Sequence, residues 1–254
     1  MSTASATITG PRPSGGAHTS RTMMLTELRQ LLEAAGDTAS PVHLKQSVLE
    51  DNVLGKNSTS SRQRSWRYLR ELYALDVAEP SFAALRKLWP HDREAQPLIA
   101  LSSALVRDPA LRGTATAVLR ADIGASVTAD DLAAAVDEAY RGSYSDAVAH
   151  KVGRNAASTW TQSGHLLGRV RKTRSHANPR PASVAYALFL ASLEGREGDF
   201  LFEALPVHAQ DAPVHTLKEL AREASRRGWL EYRSISSVTE IGFGFLATSD
   251  EAAT

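Results

Sequence analysis

The 254 residues include no cysteine. Disulfide staples, cysteine-based zinc sites and thiol nucleophiles are therefore excluded. A chain with no thiol is compatible with a reducing compartment, and a cytoplasmic location is expected. Long apolar runs are missing too. The longest, Ala182 to Leu193, is broken by Ser183 and Ser192, whereas a membrane span needs about 20 apolar residues. No membrane contact is expected. Aromatic residues make up only 6% of the chain. That is few for a protein that stacks single-stranded RNA bases on exposed rings, so RNA recognition is a minor alternative. Net charge is also nearly absent, at +1 from 29 basic and 28 acidic side chains. The total therefore says nothing about a partner, and only the distribution of charge can.

Catalytic and cofactor signatures are lacking. None of the eight histidines falls in the HExxH spacing of a helical zinc site. The stretch Gly55-Lys56-Asn57-Ser58 fails as a phosphate loop, because Glu50 stands where the first glycine belongs and Asn57 follows the lysine. Gly242 and Gly244 have no third glycine and no following helix, so they make no dinucleotide fingerprint. Ser163-Gly164-His165 is no nucleophile elbow, which needs G-x-S-x-G. The acids Asp130, Asp131, Asp137 and Glu138 are spaced like a solvated helix face. No enzyme activity, metal or cofactor is expected.

What is present is a dense set of helical periodicities. Residues 1–22 are rich in Ser, Thr, Gly and Pro and read as a disordered tail. Met24, Leu25, Leu28, Leu31 and Leu32 repeat at helical spacing. Ser40-Pro41 starts a second helix, with serine as cap and proline at its first position. A third runs from about Ser61 to Leu75 after a polar turn. Three helices in this order outline a helix-turn-helix. Prolines 90, 97 and 109 punctuate further helices, among them one predicted from Pro109 to about Arg120. Another spans Asp146 to Gln162, with Val148, Val152, Ala156 and Trp160 as its apolar stripe. A basic segment from His165 reads as a short β-hairpin. Thr216 to Arg227 is amphipathic, and Trp229 to Leu246 has strand character, so a terminal hairpin follows a helix in the manner of a wing. The expected fold is mainly α: a multi-helix globular protein with helix-turn-helix and winged-helix-like parts and a small terminal β-hairpin. The expected division is a tail at 1–22, a helix-turn-helix-like domain at 23–93, a helical domain with a winged part at 94–246 and a tail at 247–254.

Charge is polarised along this pattern. Residues 52–70 hold Lys56, Arg62, Arg64, Arg67 and Arg70 without one acid, and residues 147–193 hold Lys151, Arg154, Arg169, Arg171, Lys172, Arg174 and Arg180, again without one. Between them, residues 122–146 are acidic. Each basic stretch carries small polar donors beside its charges: Asn57, Ser58 and Thr59 at the start of a helix in the first, and Asn155 and Ser158 along a helix in the second. Hydroxyls, amides and helix N-terminal N–H groups beside arginines are the usual partners of phosphates and base edges. The alternative, that each run is an ordinary solvated face, stays open at this point. Trp66 and Trp160 each complete an apolar stripe and read as core anchors.

Four stretches resemble a known family: RSWRYLRELYALD (64–76), PLIALSSALVRDPALR (97–112), KVGRNAASTWTQSGHLLGRVRKTR (151–174) and SRRGWLEYR (225–233). They are similar to the BrxA family of bacterial BREX anti-phage systems, over roughly residues 24–246. The third stretch is the most specific. The resemblance implies a mostly helical protein with winged-helix-like parts that binds double-stranded DNA. It also implies work beside other BREX components, including a methyltransferase and a large ATPase. It carries over no catalytic residues.

The expected function is a non-catalytic double-stranded DNA-binding subunit. Its DNA contacts would be Lys56, Asn57, Ser58, Thr59, Arg62, Arg64 and Arg67 around the third helix. On the second basic stretch they would be Lys151, Arg154, Asn155 and Ser158, with Arg169, Arg171, Lys172 and Arg174 as a wing. The rival reading is a protein-interaction scaffold whose basic faces dock acidic partners. Nothing in the sequence fixes an oligomeric state.

Overall fold

The computed structural model describes residues 15–36, 39–235 and 238–247. The expected tail residues 1–14 and 248–254 lie outside these. The chain is mainly α-helical, as the periodicities predict. A 3-10 turn, Ala17–Thr19, comes first. Then follow α1 (Leu25–Ala35), α2 (Pro41–Leu49), α3 (Thr59–Tyr73), α4 (Pro80–Leu88), α5 (Gln96–Arg107), α6 (Pro109–Gly113) and α7 (Ala115–Leu119). The second half contains α8 (Ala129–Ala139), α9 (Asp146–Gln162), the strands β1 (Leu166–Leu167) and β2 (Thr173–Arg174), α10 (Pro181–Leu193), a 3-10 segment Gly198–Glu203, α11 (Leu205–His208) and α12 (Val214–Arg226). The antiparallel hairpin of β3 (Glu231–Ile235) and β4 (Val238–Gly242) and a last turn, α13 (Gly244–Ala247), complete it.

Local chemistry explains most boundaries. The Ser40 hydroxyl accepts the His43 N–H ahead of Pro41, and the Ser58 hydroxyl accepts the Ser61 N–H at the start of α3. Thr128 and Asp131 form a reciprocal capping box at the head of α8. Three boundaries differ from the sequence reading. The strand character expected as far as Leu246 ends at Gly242, and Gly244–Ala247, where no helix was expected, is a helical turn. The helix expected from Pro109 to about Arg120 breaks into α6 and α7 at Thr114. Its hydroxyl bonds the Leu111 carbonyl at 2.7 Å and receives the Trp160 indole N–H at 2.8 Å. The connection between α2 and α3 occupies residues 50–58, longer than the three- or four-residue turn of a compact helix-turn-helix. Asn52 (φ 53°) and Gly55 (φ 60°) take left-handed backbone there, Leu54 is buried, and the Asn52 carboxamide accepts the Lys56 N–H.

One main apolar core runs from Ala17 to Leu246. Its centre is α10, whose residues from Pro181 to Ala191 are all buried, because a helix apolar on every side has no face to give to water. It is packed by α4, α5, α11 and α12. Contacts of α3 with α5, and of α4 with α10 and α13, cross the division expected between residues 93 and 94. The α8–α9 pair packs closely enough that a Cβ at Gly153 would sit 2.1 Å from the Ala129 carbonyl oxygen. This close crossing fixes which side of α9 is buried and leaves the side bearing Lys151 and Arg154 in water.

Candidate nucleic-acid interface

The first correction concerns residues 15–22, which the sequence reading places in a disordered tail. They form a folded strap. His18 is fully buried. Its Nδ1 lies 2.7 Å from the Asp108 carboxylate, its Nε2 lies 2.8 Å from the Thr159 hydroxyl, and its backbone N–H also donates to Asp108. Met23 N–H donates to the same Thr159 hydroxyl, and the Tyr73 hydroxyl donates to the Met23 carbonyl. Burial pushes the Asp108 carboxyl up, but the His18 hydrogen bonds and nearby positive charge hold it below its ordinary value. His18, Asp108 and Thr159 thus each have a partner for their side-chain polar atoms, which buried polar groups require. A hydroxyl–imidazole–carboxylate series of this kind resembles an acyl-transfer triad. Thr159, however, has no accessible surface and already accepts an N–H, so the arrangement works as a clamp. Its partners lie 90 and 141 residues away in sequence, so no local signal announced it.

The clamp places the strap against both basic helices. On one side Asn155 of α9 donates its amide to the His18 carbonyl at 2.8 Å. On the other, the Arg21 guanidinium lies over the Tyr68 ring of α3 at 5.6 Å, and Arg67 lies over the same ring at 4.5 Å. Arg21, which the sequence reading did not single out, thus joins the α3 arginines. Its signal in the sequence was invisible because the tail composition around it suggests no fold.

On α3, Arg64 and Arg67 are exposed, with Arg64 one turn before Tyr68 on its face. Asn57 and Thr59 are exposed at the helix start, whose first turn carries no acid. Ser58 spends its hydroxyl on capping. Arg62 is half-buried, reaching the Thr59 hydroxyl and the Glu50 carbonyl. Lys56 is held by Glu27 at 3.0 Å, with both side chains partly buried, and is the least available of this set. Glu71, one turn beyond Arg67, is a nearby acid whose carboxyl is raised by burial.

The second stretch divides into three fates. Lys151 and Arg154 are exposed on α9, beside Asn155 and the half-buried Ser158, whose hydroxyl bonds back to the Arg154 carbonyl. Arg169 and Arg171 are exposed at the tip between β1 and β2, while Lys172 turns back to the Thr161 hydroxyl at 2.7 Å. Burial lowers the pKa of that ammonium. Arg174 is different, and its expected place on the wing is corrected. It is 4% exposed and grips Asp211 with two nitrogens, at 2.9 and 2.5 Å. It also donates to the Val118, His165 and Ser175 carbonyls. Burial pushes the Asp211 carboxyl up, but this guanidinium and the Ala177 N–H bring it below its ordinary value. Arg180 is tied to Asp92 at 2.9 Å. Among the described residues, Arg64, Arg67, Lys151, Arg154, Arg169 and Arg171 have no ion pair with a carboxylate.

The strap, α1 to α7 and the start of α8 fall within the segment, residues 16–132, that matches the BrxA family model. Those 117 of the 254 residues are similar to the BrxA family, which supports membership of it. No curated protein matches it. The BrxA match begins at the strap, which the sequence resemblance at 24–246 left out, and ends before α9. The BrxA match suggests a protein associated with BREX defence. Among the described residues there is no group of three or more His, Cys, Asp or Glu able to hold a metal ion, and no helix is long and apolar enough to cross a membrane.

Proposed function

We propose that this BrxA-family chain is a non-catalytic subunit of a BREX-type defence system that binds double-stranded DNA through the α3 and α9 surfaces and the β1–β2 tip. The observation that carries this reading is the strap. It touches α3 and α9 together and lays Arg21 beside Arg67, so the two helices that carry the basic stretches are joined through one segment. Guanidinium and ammonium groups without an intramolecular counterion are available to phosphates, and each phosphate neutralised releases condensed counterions. Arg64, Arg67, Lys151, Arg154, Arg169 and Arg171 supply about six such contacts. Affinity for a random duplex is then expected to fall on the order of 10³-fold between 50 and 200 mM salt. Contacts of this kind fix position more than base sequence.

The test is a salt titration of purified protein on duplex DNA, with single-stranded DNA and RNA as competitors. Arg169→Glu plus Arg171→Glu is expected to remove most of the binding at 100 mM salt. Binding that ignores salt, or that survives both reversals, overturns the reading. Failure to bind any duplex combined with co-purification of neighbouring BREX components supports the scaffold alternative instead.

A further inference from the structure

The tip between β1 and β2 has a shape that general phosphate attraction does not require. Val170 is 91% exposed, more than any other large hydrophobic side chain among the described residues. It stands between Arg169 and Arg171, both exposed. An apolar side chain held in water at the end of a loop costs solubility, and Leu167 at the end of β1 is exposed as well.

The loop under this tip is stiff. Gly168 sits at φ 100°, and a Cβ there would lie 2.1 Å from the Arg171 carbonyl oxygen, so only glycine closes the turn. The Lys172 ammonium ties it to Thr161 of α9 and to the Gly168 carbonyl. Thr173 pairs with Ser126, and the buried Arg174 anchors the base. The base of the tip is thus held in place on both sides, and a group ordered in advance loses less entropy on binding.

We infer that this Arg169-Val170-Arg171 tip enters the minor groove of A·T-rich duplex DNA, with Val170 against the sugar walls and the two guanidinium groups in the groove. The inference rests on the DNA-binding reading above. Valine has no donor or acceptor with which to distinguish major-groove base edges. Apolar side chains flanked by cations are what minor-groove proteins insert. A narrow A·T minor groove concentrates negative potential that attracts arginine, and it lacks the guanine amino group that obstructs the floor.

The experiment compares binding of the full chain to A·T, G·C and inosine·cytosine duplexes of equal length at one salt concentration. Inosine·cytosine pairs look like A·T in the minor groove and like G·C in the major groove. A·T and inosine·cytosine duplexes are expected to bind alike, about tenfold tighter than G·C. Arg169→Ala plus Arg171→Ala should shrink that ratio to about twofold or less, with unchanged thermal unfolding. Inosine·cytosine behaving like G·C, or a ratio that persists in the double variant, overturns the inference and leaves general DNA binding standing. If no duplex binds, the DNA-binding reading fails and this one with it.

Discussion

The two acid-free stretches look alike in sequence and fold to different ends. In residues 52–70 the cations ride mostly on the outer side of α3, and Lys56 alone is taken by a carboxylate, that of Glu27. In residues 147–193 the cations are sorted. Lys151, Arg154, Arg169 and Arg171 stay in solvent, whereas Arg174 is buried on Asp211 and Arg180 is held by Asp92. Arg171 and Arg174 are only three residues apart, yet one is surface and the other is core. The difference is that a buried guanidinium needs its counterion and acceptors supplied by the fold, and those of Arg174 come from residues up to 56 positions away.

The contrast is most sharply broken by mutation at that pair. Arg174→Ala should lower unfolding free energy in a urea titration by about 3–5 kcal/mol, because Asp211 is left largely buried without its partner. Arg171→Ala should leave the urea midpoint unchanged, and equal effects would erase the distinction. A slightly smaller effect is expected from pH at the same anchor. Burial pushes the His165 imidazole down to about 4, against the opposing pull of Asp211, while the unfolded chain protonates it near its ordinary value. The unfolded state therefore binds the extra proton first, and stability present above about pH 6.5 is lost as the pH falls towards 4. The loss is on the order of 3 kcal/mol. Denaturant midpoints across this window should decline in the parent chain and flatten in His165→Asn; identical slopes would assign the acid sensitivity elsewhere. The smallest effect separates cations within the first stretch. Arg64→Ala should reduce the slope of log affinity against log salt by about 0.9, whereas Lys56→Ala should leave it nearly unchanged because that ammonium already faces Glu27.

Much of the helical framework was legible in sequence, since apolar spacing and caps such as Ser40-Pro41 are local. The break at Thr114 was not, because the Trp160 indole that bonds it belongs to α9. The basic surfaces were legible as composition: Arg64, Arg67, Lys151 and Arg154 are exposed as solvated helix faces should be. The commitments of Lys172 and Arg174 were hidden, as was the contribution of Arg21. The tail reading at 15–22 failed for the same reason. Composition rich in Ser, Gly and Pro describes the chain's own inability to bury surface, and says nothing of a pocket prepared by Asp108 and Thr159.

The helices, their caps and the separation of positive from negative stretches are written into the order of residues, because these depend on neighbours within a few positions. Which cations reach water, and that a polar strap joins two basic helices, is set by how the chain packs on itself. Those outcomes depend on carboxylates, carbonyls and hydroxyls brought from far along the chain, and burial makes a charge tolerable only where such partners converge.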